Sequence, residues 1–200
     1  MDPLNSNQPL DRLAYELSKL PGIGIKASKR LAIFLASHKQ HADYLTKALI
    51  DAKEKICECK NCFQLTTDPL CSICRSAKRQ NSMICVVEKP SDVNYIEEGG
   101  VFRGHYHILG AIISPLDGIR AEDCRIQELI TRTKKDTVFE IIFALNPSIE
   151  SATTINLISS LLPGIKCTQL ASGLAAGGMI EFTDTRTIYH AFQNRTEIRQ

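Results

Sequence analysis

Two hundred residues, 44% apolar and 23% charged, can bury a substantial core and suggest one large or two small domains. A formal net charge of +2 provides no global field for nucleic acid, so any such contact has to come from local clustering of Lys and Arg. No apolar run approaches the ~20 residues of a membrane span, and the absence of Trp weighs against an aromatic platform for single-stranded bases.

The chain opens on Met1-Asp2-Pro3, with neither a basic n-region nor an apolar signal segment. The expectation is a soluble, cytoplasmic protein whose eight cysteines are reduced. Residues 9–20 place Leu10, Leu13, Ala14, Leu17 and Leu20 at helical spacing behind Pro9, which predicts an amphipathic helix. It stops at Pro21-Gly22-Ile23-Gly24, where Gly22 and Gly24 permit a tight turn and keep side chains away from an approaching ligand. A second helix follows from about residue 26, with Ala27, Leu31, Phe34 and Leu35 as its expected buried stripe. Lys26 and Arg30 lie four apart on one face beside the turn, flanked by Lys29. A turn and a helix N-terminus both present backbone N–H groups outward, and with these cations they make a phosphate site that ignores base sequence. The bland alternative is a structural helical hairpin with a solvated charged face. A third helix over residues 41–56 is expected to pack Tyr44, Leu45, Ala48, Leu49 and Ala52.

Cys59-Lys60-Asn61-Cys62 and Cys71-Ser72-Ile73-Cys74 then form two CxxC pairs. Each two-residue spacer lets both sulfurs of a pair face one centre, so four thiolates can converge on one tetrahedral zinc. With all four ligands from protein, no position stays open for water, and the expected Zn²⁺, one per chain, is structural. A disulfide pair needs an oxidising compartment, and a thioredoxin-type site needs a single CxxC; zinc is preferred to both. Lys55, Lys60, Arg75, Lys78 and Arg79 are placed to offset the negative charge of the centre. Cys57 is read as a bystander, and Cys85, Cys124 and Cys167 as core residues.

Beyond the cysteines, the apolar run at residues 83–87 reads as a strand buried in a parallel sheet and ends at Glu88. A helix capped near Ser91-Asp92, a strand at residues 106–109, a helix over 121–133, a strand over 138–145, a helix over 148–162 and a strand over 166–170 follow. This alternation implies a mainly parallel sheet with helices on its faces. Acids at the C-terminal ends of such strands are where chemistry would sit, which singles out Glu88 and Glu150. Asn146-Pro147-Ser148 stands where a magnesium site would want an Asp-x-Asp pair. His105, His107 and His190 are read as surface or strand residues without chemistry.

Taken in order, the Pro-Gly-Ile-Gly hairpin, the four cysteines, Val87-Glu88, Ser114-Pro115-Leu116-Asp117-Gly118-Ile119 and Asn146-Pro147-Ser148-Ile149-Glu150 closely resemble the RecR family of bacterial recombination mediators. The resemblance runs on through Ala171-Ser172-Gly173 and Gly177-Gly178 to Asp184. It implies a helix-hairpin-helix DNA-binding region at residues 1–56, a four-cysteine zinc finger at 57–80, a Toprim α/β domain at 81–171, and a C-terminal segment at 172–200 with a Walker B-like region and a terminal helix. It further implies a non-enzymatic homo-oligomer, a ring-like dimer or tetramer in the bacterial cytoplasm and associated with the nucleoid. Such a protein acts with RecF and RecO to help RecA load onto gapped DNA. Carried over by position, Lys26 and Arg30 contact DNA, Cys59, Cys62, Cys71 and Cys74 hold zinc, and Glu88 is the Toprim acid. The family's Asn-Pro-Thr-x-Glu-Gly-Glu loop is altered here, with Ser148, Ser151 and Ala152 at its third, sixth and seventh places. Glu88 and Glu150 are accordingly expected to bind a partner protein. The alternatives are a Mg²⁺-dependent Toprim nuclease or primase-like enzyme, which the missing Asp-x-Asp disfavours, and a zinc-stapled scaffold without DNA contact.

Overall fold

A computed structural model describes residues 8–135, 137–174 and 177–196. Contacts within the chain divide it into two compact units, with the boundary between Ile56 and Cys57. The first is helical: α1 (Pro9–Ser18), α2 (Ile25–Ser37) and α3 (Lys39–Lys55). Pro9 opens α1, where its missing N–H is no loss and its fixed φ is already helical. Ala14 of α1 and Ser28 and Ala32 of α2 are the buried positions, small residues that allow the two helices a close approach. The buried stripe of α2 is therefore displaced from the expected one: Ala27 and Leu35 are half-buried, and Leu31 and Phe34 are exposed. The third helix departs further. No residue of α3 is buried, and Tyr44, Leu45 and Leu49 stand exposed with Ala48 and Ala52. His38 alone separates α2 from α3 and has a non-helical backbone (φ −121°, ψ 74°), which redirects the chain. Helical spacing specifies that a face is apolar, but not what covers it.

The second unit begins with a ribbon, β1 (Cys57–Glu58) paired antiparallel with β2 (Leu65–Thr66), followed by the single turn α4 (Ser72–Arg75). A four-stranded parallel sheet follows, in the order β4 (His105–Ile108), β3 (Met83–Val87), β5 (Glu140–Phe143), β6 (Lys166–Gln169). Because both faces of the sheet are covered, the apolar run of β3 has no solvent-facing side: Ile84, Cys85, Val86 and Val87 are all buried. On one face Ile84, Val86, Ile141 and Phe143 form a core with Leu129 and Ile130 of α6 (Ile126–Lys135) and Ile158 of α7 (Ile149–Leu161). On the other, Cys85, Val87, Tyr106 and Ile108 pack with Val93 of α5 (Pro90–Glu98) and with Phe63 and Ile73 from the cysteine segment.

The helix expected over 121–133 is divided. Residues Ala121–Asp123 form a 3₁₀ turn in which Asp123 Oδ2 accepts the Arg120 N–H at 2.8 Å, and the Arg125 N–H goes to Leu109 O at 3.0 Å before α6 begins. Of the predicted C-terminal segment, residues 175, 176 and 197–200 lie outside the described residues. The rest contains a 3₁₀ turn (Ile180–Phe182) and α8 (Thr185–Gln193), whose Asp184 cap accepts the Thr187 N–H at 3.0 Å. Among the described residues no helix is long and apolar enough to cross a membrane.

Candidate metal centre and nucleic-acid interface

The helical hairpin turns where the residue types require. The Ile23 N–H returns to Leu20 O at 3.1 Å, and Gly22 takes φ +82°, a left-handed value that a Cβ would strain. Gly24 has ordinary φ and serves as the N-cap of α2; a Cβ built at either glycine would meet nothing within 4 Å, so both project to open space. The N-cap of α2 makes no side-chain hydrogen bond, and no acid occupies its first turn. That end retains its outward N–H groups and positive dipole end. Lys26, Lys29 and Arg30 are exposed beside it, and no ion pair among the described residues takes them up.

The four sulfurs of Cys59, Cys62, Cys71 and Cys74 lie within 4.8 Å of one another. The turn that brings the first pair together is closed by the Phe63 N–H on Cys59 O at 2.9 Å and holds Phe63 at φ +66°. The second pair opens α4, where the Cys71 sulfur is itself the N-cap and accepts the Cys74 N–H at 3.4 Å. Burial raises the Cys59 thiol, but backbone N–H groups of Cys71, Asn61 and Cys62 outweigh it and bring the group down to about 7. Burial pushes Cys71 up to about 11, and Cys62 rises through its hydrogen bond with Cys74 and its burial. Thiols this close resist losing several protons together unless a cation shares the site, so the donor set suits a soft divalent metal. Cys57 is exposed and directs its thiol to Asp68 O at 3.6 Å, outside the cluster.

Of the five cations expected to offset the cysteines, three pair with acids instead. Lys55 pairs with Asp51 at 2.8 Å, Arg75 with Asp68 at 2.9 Å, and Arg79 with the Glu97 carboxylate. Arg79, together with the Tyr106 hydroxyl, holds Glu97 below its usual carboxylate range despite partial burial. Backbone donors also stabilise negative charge on the sulfurs: the Cys71 N–H lies 3.3 Å from the Cys59 sulfur. The segment is also tied to the sheet, through the Ile108 N–H on Cys62 O at 3.0 Å and the Arg132 guanidinium on the carbonyls of Tyr106 at 2.6 Å and Asn61 at 3.4 Å.

Glu88 follows the last residue of β3 and lies 3.3 Å from Lys89 Nζ. Glu88 and Glu150 line one cavity of about 410 Å³, and Asp117 lines it with them. Sequence reasoning does not single out Asp117 as a site residue. Its signal lies in the Ser-Pro-Leu-Asp-Gly turn, where Gly118 at φ +73° ends a 3₁₀ turn and the Ser114 hydroxyl donates to Asp117 Oδ2 at 2.5 Å. Asn146 borders a different cavity of about 640 Å³, with Arg186 and His190 of α8. Ser148 caps α7 by accepting the Ser151 N–H at 3.0 Å, a role Ser fills as well as Thr. His105 and His107 are buried in β4, as strand residues; His190 is half-buried on α8.

The profile of the RecR helix-hairpin-helix matches residues 10–53, that of the Toprim domain residues 82–171, and that of the RecR C-terminal region residues 173–196. Among curated relatives, the Recombination protein RecR of Synechocystis sp. is 42% identical over 95% of this chain and 83% of its own length. That of Gloeobacter violaceus is 43% identical over 96% and 98%, and that of Thermosynechococcus vestitus 44% over 96% and 96%. With matches of this extent at both ends and across the sheet, the chain belongs to the RecR family.

Proposed function

We propose that this protein is a non-enzymatic DNA-binding mediator of recombinational repair, acting with RecF and RecO to promote RecA loading on gapped DNA. The observation that carries the reading is the hairpin: Lys26, Lys29 and Arg30 stand exposed beside an α2 N-terminus without a side-chain cap, with Gly22 and Gly24 opening the approach to the backbone. Relatives named for recombination, alike over nearly the whole chain, support it. The contacts are to phosphate, so binding is independent of sequence. One structural Zn²⁺ per chain sits on Cys59, Cys62, Cys71 and Cys74, and the four-part division at residues 56, 80 and 171 stands as the functional layout. The exposed apolar residues of α3 support a homo-oligomeric ring, dimer or tetramer, in the bacterial cytoplasm. Glu88 and Glu150 serve as partner contacts, where charge complementarity sets encounter rate and specificity.

Replacing Lys26 and Arg30 together by Ala tests the reading. DNA affinity is expected to fall uniformly across sequences, and the salt dependence to flatten by roughly 1.4 to 1.8, the share of two phosphate contacts. Both residues are exposed and Ala is the best helix former, so the fold should persist. Unchanged affinity in the folded variant would refute the assignment. The three carboxylates around one cavity favour a second reading, a Mg²⁺-dependent Toprim enzyme. Nicking, cleavage or priming with Mg²⁺ that Glu88→Ala abolishes would establish it instead.

A further inference from the structure

A second basic site lies away from the hairpin, where the first CxxC turn meets α6. Lys60, Asn61 and Phe63 from the turn and Glu128, Arg132 and Lys135 from α6 line a cavity of about 320 Å³, within the size range of small-ligand pockets. Among the described residues, three cations and one carboxylate line it. The cations differ in kind. Arg132 is buried, only 7% exposed, and is held by main-chain carbonyls of Tyr106 and Asn61, which fixes one wall. Lys60 and Lys135 are exposed, and no ion pair among the described residues takes them up. Phe63 is half-buried and strongly constrained. Its backbone takes φ +66°, rare for a non-glycine residue, the Arg125 guanidinium lies over its ring at 4.6 Å from the centroid, and the His107 ring meets it at 85°. A fixed aromatic ring beside two exposed ammonium groups is the combination that binds single-stranded nucleic acid, the base meeting the ring and the phosphate the cations. An acidic peptide would use the lysines but has no need of the ring.

We propose that this cavity takes one nucleotide of single-stranded DNA, its phosphate between Lys60 and Lys135 and its base against Phe63. The proposal rests on the reading of the chain as a DNA-binding protein, to which it adds a strand-selective contact distinct from the hairpin. A duplex keeps its bases stacked, so it gains little here. The hairpin contacts duplex and single strand alike through phosphate.

The test compares the full-length wild type with Lys60→Gln/Lys135→Gln by fluorescence anisotropy, using labelled oligothymidylate and a blunt duplex over a series of salt concentrations. The variant is expected to flatten the oligothymidylate salt dependence by about 1.4, two single-strand contacts at about 0.7 each, and to leave the duplex curve unchanged. Photolysis of wild type bound to an oligonucleotide carrying 5-bromodeoxyuridine is expected to label the peptide containing Phe63. That second measurement needs no variant to fold. If wild type binds oligothymidylate and the folded variant matches it, this site is refuted while the hairpin reading stands. If wild type binds neither DNA, both fall. Equal losses on duplex and single strand, or photoadducts confined to other peptides, overturn the nucleotide assignment. Loss of oligoglutamate binding with oligothymidylate unaffected would make the cavity a protein-docking site and overturn it as well.

Discussion

His107 offers a quantitative test of how the cysteine segment, β4 and α6 fit together. It is fully buried in β4, donates Nε2–H to Arg125 O at 2.7 Å, meets the Phe63 ring edgewise, and leaves Nδ1 buried without a hydrogen-bond partner. Burial, reinforced by the charges of Arg132 and Arg125, outweighs the Arg125 carbonyl and brings the imidazole from 6.5 down to about 4. A folded state that resists protonation while the unfolded chain accepts it loses stability on acidification. The contribution is fully present above pH 6.5 and disappears as the pH falls through the folded value of about 4. A gap of about 2.5 pH units corresponds to about 3.4 kcal/mol, of which about 2.5 kcal/mol is lost by about pH 4.5. His107→Leu removes the titration. It also removes one of the two hydrogen bonds to Arg125 O, which still accepts the Leu129 N–H at 3.3 Å, and this costs about 0.5–1.5 kcal/mol at neutral pH. Urea unfolding followed by circular dichroism should therefore show the variant weaker at pH 7 but with a shallower decline towards about pH 4.5. Acid release of any metal held by the thiolates would act on both proteins and cancel in the comparison. Parallel declines in the two proteins would refute the argument.

Two further outcomes concern the sites themselves. Elemental analysis of protein purified under reducing conditions should find one zinc per chain; Cys71→Ser should lose the metal and unfold at lower urea, whereas Cys57→Ser, with its thiol outside the sulfur cluster, should retain full metal content. Glu88→Ala and Glu150→Ala should keep DNA affinity and lose RecO or RecF binding in a calorimetric titration; retained partner binding with both acids removed would show that the cavity serves something else.

Local chemistry makes much of this protein legible before its structure. Pro21-Gly22-Ile23-Gly24 can only turn, a continuous apolar run of five residues wants the middle of a sheet, and two CxxC pairs point four sulfurs at one centre; all three forms occur. The departures share a cause, which is that an apolar face or a charge advertises a need without naming its partner. Helical spacing predicts that the apolar positions of α3 are packed, yet they are exposed, because periodicity reports a stripe whether it is covered within the chain or by another molecule. Proximity in sequence makes Lys55, Arg75 and Arg79 counter-charges to a metal centre. Carboxylates at Asp51, Asp68 and Glu97 take them instead, since a nearby acid in good geometry outcompetes a diffuse negative cluster already served by backbone N–H groups. Asp117 escapes the sequence for the converse reason. Its neighbours in the chain make it a turn residue, and only the parallel order of β4, β3 and β5 gathers the loops after three strands into one acidic cavity. A parallel sheet does this by construction: every βα crossover returns to the same edge, so residues far apart in sequence become neighbours at the carboxyl ends of the strands. Asp117 of the Ser114-Pro115-Leu116-Asp117 turn thereby joins Glu88 and Glu150 around one cavity. The cleft is therefore lined by three carboxylates from three separate segments, while Asn146 of the altered loop borders a different cavity.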